Sequence, residues 1–182
     1  TGSMYRAVAF KLLKEGVDLQ NDAAVQEMLD RTDIDFSKGN IFLDGETIND
    51  KIRTPEISSM ASKCSALPMV REKLVALQRK MGEAKSIIMD GRDIGTNVLP
   101  HAEYKFFLTA SPEERARRRF LELQEKGQDV TYQAVLEDIE KRDFQDSNRA
   151  LNPLKQADDA LLVNTNGIPL DESIQIILNH IK

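Results

Sequence analysis

An α/β fold, with a parallel sheet covered by helices on both faces, is predicted for this 182-residue chain by three observations. Short apolar runs of strand length, Ser86 to Asp90, Tyr104 to Leu108 and Leu161 to Val163, alternate with longer stretches of helical period. Cap and turn residues fall at the junctions between them. Hydrophobic residues make up 41% and charged residues 30%, the balance of a compact water-soluble domain rather than a disordered or fibrous chain.

The elements follow in order. Tyr5, Val8, Ala9 and Leu12 recur at i, i+3, i+4, i+7, which predicts a first helix stopped by Gly16. A short second helix is predicted from Ala23 to Arg31. The period then changes to alternation through Ile34, Phe36, Ile41 and Leu43, with turn signals at Lys38-Gly39-Asn40 and Asp44-Gly45-Glu46, so a small antiparallel patch is expected. Thr54-Pro55 reads as a cap and first-turn proline. Val70, Leu74, Leu77 and Met81 give the next helix its face, ending near Gly82. After the strand at 86–90 comes a glycine-containing turn, and after the strand at 104–108 comes Ser111-Pro112-Glu113-Glu114, read as a capping box with proline at the first helical position. That helix runs to about Lys126, with Gly127 as its stop. Tyr132, Val135, Leu136 and Ile139 mark another helix, Leu161-Leu162-Val163 a final strand, and Ile174, Ile177, Leu178 and Ile181 the last helix.

Composition narrows the chemistry. No apolar run approaches membrane-spanning length, and no leader-like segment opens the chain, so an aqueous location is expected. Cys64 is the only cysteine, which excludes an internal disulfide and a cysteine-built zinc site and fits a reducing compartment. His101 and His180 are too few for a polyhistidine metal site or proton relay. The net charge of −5 argues against nonspecific nucleic-acid binding. Yet six of the twelve arginines, Arg115, Arg117, Arg118, Arg119, Arg142 and Arg149, lie between Ser111 and Arg149. Such a concentration suggests a local anion site, because a guanidinium fork matches phosphate oxygens; a solvated helix face is the alternative.

Ligands bind beyond the carboxyl ends of strands in open parallel sheets, so Asp90-Gly91-Arg92-Asp93-Ile94-Gly95-Thr96 is informative. Its glycines let the backbone approach a ligand, Arg92 can grip phosphate, and Asp93 can accept from an exocyclic amine or help hold a metal. A turn with a local ion pair reads equally well. A second cluster, Arg142, Asp143, Asp146, Ser147, Asn148 and Arg149, places Arg142, Asp146 and Arg149 on one helix face. That face could hold a ribose and phosphates, or it could be a surface salt-bridge ladder.

The strings TGSMYRA, IRTPEIS, LPMVREKL, DGRDIGT, SPEERARRR and RDFQDSNRA, in this order from Thr1 toward the carboxyl end, resemble those of bacterial cytidylate kinases, nucleoside monophosphate kinases. The resemblance implies a P-loop kinase-type parallel sheet with helices on both faces, a small antiparallel insert (Ile34 to Ile48) and a helical lid whose mobile tip spans Lys126 to Thr131. It implies one domain: core 1–22, 83–112 and 150–182, monophosphate-binding region 23–82, lid 113–149. The implied reaction moves the γ-phosphoryl group of ATP to CMP or dCMP with Mg2+ bridging the phosphates, in pyrimidine nucleotide metabolism, in a cytoplasmic monomer with no nucleic-acid or membrane partner.

Carried over position by position, the resemblance gives Thr1, Arg6 and Arg92 to the acceptor phosphate. Ser62 (or Ser65 in its place), Arg71 and Asp93 would read the cytosine, whose N4 amine donates while O2 and N3 accept. Arg142 and Asp146 would hold the sugar hydroxyls, and Arg149 would reach the phosphates. Arg115 would stack on the adenine of ATP and Arg119 would contact its phosphates, with Arg118 a weaker candidate. The catalytic contribution would fall to Arg92, Arg119, Arg142 and Arg149, and no protein side chain is implied as a metal ligand. Other readings are a kinase of the same fold acting on UMP or AMP, and a noncatalytic nucleotide-binding module.

One departure bears on activity. No G-x-x-x-x-G-K-[ST] string occurs in the 182 residues, although the resemblance implies a preceding strand and such a phosphate loop. Those residues are expected upstream of Thr1 in the gene, and the 182 residues alone are expected to be inactive.

Overall fold

The computed structural model describes residues 1–37, 39–84 and 86–181. They form two compact units, Thr1–Gly91 and Arg92–Lys182.

In the first unit, helix α1 (Gly2–Glu15) ends where Gly16 turns left-handed at φ 65°, its N–H returning to the Leu12 and Leu13 carbonyls. Helix α2 (Asp22–Asp30) is capped by Asn21, whose side chain accepts from Ala24 N–H. Strands β1 (Ile34–Ser37), β2 (Asn40–Leu43) and β3 (Glu46–Thr47) form the expected antiparallel patch, with Ile34 opposite Leu43 and Phe36 opposite Ile41. Asp44 and Gly45 take φ 51° and 81°, the double-positive turn that two-residue hairpins require. The signal at Lys38 lies outside the described residues. Thr54 caps helix α3 (Pro55–Cys64) by accepting from Ile57 N–H, with Pro55 in the first turn. Helix α4 (Pro68–Ala84) passes through Gly82, and its bound lies two residues beyond, near the expected end. Val8, Leu12, Met28, Leu29 and Leu74 are among the largest fully buried side chains and join α1, α2 and α4 to the inward positions Ile34, Ile41 and Leu43. Phe36, expected on that inward face, is exposed.

The segment Ser86 to Asp90 corrects an expectation: it is not a strand, and Ile88 is 100% exposed. Apolar composition supplies the propensity for a strand, but a ladder exists only where a neighbouring strand exchanges hydrogen bonds, and none does so among the described residues.

In the second unit, strands β4 (Phe106–Thr109) and β5 (Leu161–Asn164) pair in parallel, Phe106 opposite Leu161 and Thr109 opposite Asn164. The crossover between them is helix α5 (Pro112–Glu125) and helix α6 (Tyr132–Asn148), closed by a left-handed Gly127 at φ 68°. Ala116, Leu123 and Val135 are the buried seam of this hairpin. Only half of the expected capping box forms. Ser111 Oγ accepts from Glu114 N–H, but Glu114 turns to Arg117 and Arg118, and Ser111 N–H donates to Asn166 Oδ1 at 2.8 Å. Helix α7 (Leu170–Leu178) carries the predicted apolar period, yet Ile174, Leu178 and Ile181 stay exposed among the described residues.

Candidate nucleotide-binding site

The turn after Asp90 is a π-helical turn over Ile94–Val98 rather than an open loop. Val98 N–H reaches back five residues to Asp93 O at 3.2 Å, a wide ring often found where side chains must be aimed. Gly95 lies against the Lys105 stem, where an added Cβ would approach Lys105 Cδ to 3.4 Å. Lys105 is pinned in turn by Asp159 at 2.5 Å and the Pro100 carbonyl.

Arg92 and Asp93, which lead into this turn, meet the end of α6. Arg92 Nε lies 2.9 Å from Asp146 Oδ2, Arg149 Nη1 lies 3.7 Å from Asp146 Oδ1, and Arg142 Nε lies 3.9 Å from Asp146 Oδ2. Arg149 Nη2 also lies 3.3 Å from Asp93 Oδ1. Helix α6 ends so as to permit this. Arg149 leaves helical geometry, its Nε donates to Asn152 O at 2.7 Å, and Leu154 N–H caps the Asp146 carbonyl at 2.8 Å. Asn152 takes φ 48° in that return. Five predicted residues, Arg92, Asp93, Arg142, Asp146 and Arg149, therefore share one cluster of three guanidiniums and two buried carboxylates.

Electrostatics follow from that crowding. The Arg142 guanidinium is held below its ordinary value, first by desolvation and second by the charge of Arg92, although 46% of its side-chain surface remains accessible. The group stays protonated at neutral pH, since an arginine starts so high. Packing like charges this closely is tolerable because Asp146 serves all three cations and Asp93 serves Arg149 as well.

The lid arginines lie elsewhere. Arg115 forms a bidentate pair with Asp143 on α6, with Nη1 to Oδ1 at 3.0 Å, and donates from Nε to Ala110 O at 3.0 Å. Arg119 pairs with Glu122 on the same helix at 2.7 Å, and Lys126 with Arg119 pushes the Glu122 carboxyl down to about 2. Arg118 joins Glu114 to Thr165 at the end of β5. None of the three enters the five-residue cluster.

In the first unit, Thr1 Oγ1 donates to Asp90 O at 2.6 Å. Arg6 Nη1 donates to Ile52 O at 2.9 Å and to Ser58 Oγ at 2.8 Å, which ties α1 to the start of α3. Arg71 is buried on α4, Ser62 is half-buried on α3, and Ser65 Oγ donates to Ser62 O at 2.8 Å.

Sequence reading missed several partners. Asn97 Nδ2 donates to Asp93 Oδ2 at 3.0 Å, and the sequence marks it only by its place four residues on in a glycine-containing turn. Ser58 and Asn152 gave no signal, because their roles arise from hydrogen bonds across separate elements.

Among the described residues no three His, Cys, Asp or Glu side chains are grouped to hold a metal ion. Asp93 and Asp146 are already neutralised by guanidiniums, so these residues do not fit as a magnesium cage. No described helix is long and apolar enough to cross a membrane.

Comparison with known proteins adds a family. The family model described as cytidylate kinase matches residues 1–182. The chain is 48% identical to a cytidylate kinase of Clostridioides difficile (strain 630), covering all of this chain and 84% of that protein. It is 47% identical to a cytidylate kinase of Caldanaerobacter subterraneus subsp. tengcongensis, with 100% and 81% covered, and 47% identical to one of Clostridium perfringens, with 100% and 84% covered.

Proposed function

The chain belongs to the cytidylate kinase family, and we propose that it carries the family's reaction, transfer of the γ-phosphoryl group of ATP to CMP or dCMP, giving CDP or dCDP and ADP. The observation that carries the chemistry is the cluster of Arg92, Arg142 and Arg149 around Asp93 and Asp146. Phosphoryl transfer asks a protein to align oxygens and neutralise charge rather than to supply a nucleophile, and a guanidinium cluster without histidine suits that demand.

Roles are assigned within each unit. In the second, Arg92 and Arg149 grip phosphate, Arg142 and Asp146 hold the sugar hydroxyls, and Asp93 accepts from the cytosine amine. Uracil would present an oxygen to that carboxylate, leaving both acceptors without a donor, and this mismatch is the source of base choice. In the first, Thr1 and Arg6 serve the acceptor phosphate, and Arg71 with Ser62 the base. Arg115 and Arg119 serve ATP, which requires Arg119 to exchange Glu122 for phosphate oxygens; Arg115 presents its flat face while Asp143 holds its edge. With Arg92, Arg142 and Arg149, Arg119 shields charge in the transition state.

Magnesium enters with the ATP phosphates and supplies further charge neutralisation there. The division of the chain into core, monophosphate-binding region and lid, a cytoplasmic monomer, and the lack of nucleic-acid or membrane partners are part of the same proposal. So is the inactivity of these 182 residues by themselves, since they contain no G-x-x-x-x-G-K-[ST] string.

A coupled ADP-release assay of the full gene product with CMP, dCMP, UMP and AMP, with and without EDTA, tests the reading. Turnover confined to CMP and dCMP and abolished by EDTA is expected; equal or better use of UMP or AMP overturns it. The 182-residue chain run beside it should release no ADP.

A further inference from the structure

We propose that Asn97 is a positioning residue for base choice, fixing the Asp93 carboxylate as a pure hydrogen-bond acceptor. This rests on the assignment of Asp93 to the base amine. Asp93 is buried, and its two oxygens face different partners: Oδ2 accepts from Asn97 Nδ2 at 3.0 Å, and Oδ1 lies 3.3 Å from Arg149 Nη2. The π-helical turn sets Asn97 opposite Asp93, with both Asn97 N–H (2.9 Å) and Val98 N–H (3.2 Å) bonded to the Asp93 carbonyl. Backbone and side chain are thereby locked together, and the turn itself rests on Lys105 beneath Gly95.

A carboxylate oxygen has two lone pairs, so each can take one protein donor and still offer a site to a ligand. With Asn97 donating to Oδ2 and the Arg149 guanidinium beside Oδ1, the carboxylate presents only acceptor sites to a base, which suits an amine and not the O4 of uracil. Among the contacts described, Arg149 is the charged group at Asp93, with Asp146, Arg92 and Arg142 beyond it, and Asn97 is a neutral donor. Its removal therefore loosens the rotamer without changing the charge of the cluster.

The test measures kcat/KM for CMP and UMP, and KM for ATP, in the full gene product as wild type, Asn97→Ala and Asn97→Asp. Asn97→Ala should lower the CMP:UMP ratio about tenfold, the scale of one well-placed hydrogen bond, through the KM for CMP while KM for ATP holds. Asn97→Asp, of the same size, replaces the donor with another acceptor and sets a second carboxylate against Asp93, so the bond is lost and the rotamer is repelled as well; the ratio should fall further than in Asn97→Ala. Loss of CMP and UMP turnover in equal proportion in both variants is what a merely structural role gives and overturns the proposal. If Asn97→Ala folds poorly, the Asp variant alone decides. A wild type that favours UMP instead refutes the assignment of Asp93 on which the proposal stands.

Discussion

Replacing Asp146 with Asn removes one negative charge from a site where three guanidinium nitrogens lie 2.9, 3.7 and 3.9 Å away. At an effective dielectric near 20, each such pair is attracted by about 4 kcal/mol before desolvation is charged against it. Burying the carboxylate and its partners cancels most of that, and breaking a buried pair typically costs about 3–5 kcal/mol. Here the discount is larger, because Arg92 and Arg142 keep 39% and 46% of their side-chain surface in water. A loss of about 2–3 kcal/mol is expected, which for a chain of this size lowers Tm by about 4–12 °C. The deficit should shrink in inorganic phosphate, which supplies anions to the uncompensated arginines. Thermal melts of wild type and Asp146→Asn in chloride and in phosphate at equal ionic strength read both effects. A Tm within 1 °C of wild type in chloride, or equal shifts in both salts, refutes the view that Asp146 is the counterion of this cluster.

Three further outcomes are expected. Asp93→Ala in the full gene product should raise the KM for CMP by tenfold or more, on the scale of a charge-assisted hydrogen bond, and leave the KM for ATP within twofold; steady-state kinetics decides, and unchanged CMP use removes Asp93 from the base site. Burial pushes the Cys64 thiol up to about 12, so an aromatic disulfide reagent at pH 8 should label native protein slowly and unfolded protein at once; rapid native labelling contradicts the burial. Burial alone would raise the Asp44 carboxyl, but hydrogen bonds from Lys11 and Asp33 N–H hold it below its ordinary value. Its stabilisation is therefore present above about pH 4 and lost as pH falls through the depressed value, so Asp44→Asn should lower Tm by about 2–4 °C at pH 7 and by less near pH 3; a constant difference across that range is the contrary result.

What could be read from the sequence was local. Thr54-Pro55, Ser111-Pro112 and Asp44-Gly45 specify caps and a turn through bonds spanning three or four residues, and all three formed. The spacing of Arg142 and Asp146 likewise predicted a shared helix face, whereas Arg149, expected on it too, joins them from the extended residue just past the helix end. Contacts made across the chain were hidden. Nothing in the sequence marks Arg92 as the partner of Asp146, 54 positions on, because that pairing depends on where the π-helical turn and the end of α6 come to rest. The π-helical turn was invisible to a reading by period, since five residues hold no repeat. Composition marked Ser86 to Asp90 as strand-like, but pairing belongs to the neighbour, which composition does not describe.

The cluster also explains why its two carboxylates should be harder to replace than its arginines. Three guanidiniums and two carboxylates leave one net positive charge, enough to favour a phosphate yet small enough to fold without one. Removing an arginine, as in Arg92→Ala, takes the cluster to neutrality: anion affinity falls while repulsion between the remaining guanidiniums is relieved, so binding suffers more than stability. Removing a carboxylate takes it the other way, adding repulsion and deleting an acceptor, so stability and ligand choice fall together. The two substitutions should therefore separate on a plot of Tm against CMP affinity, Arg92→Ala moving along the affinity axis and Asp146→Asn along both. If they fall on one line, the groups act as interchangeable surface charges and not as counterions and grips with distinct roles.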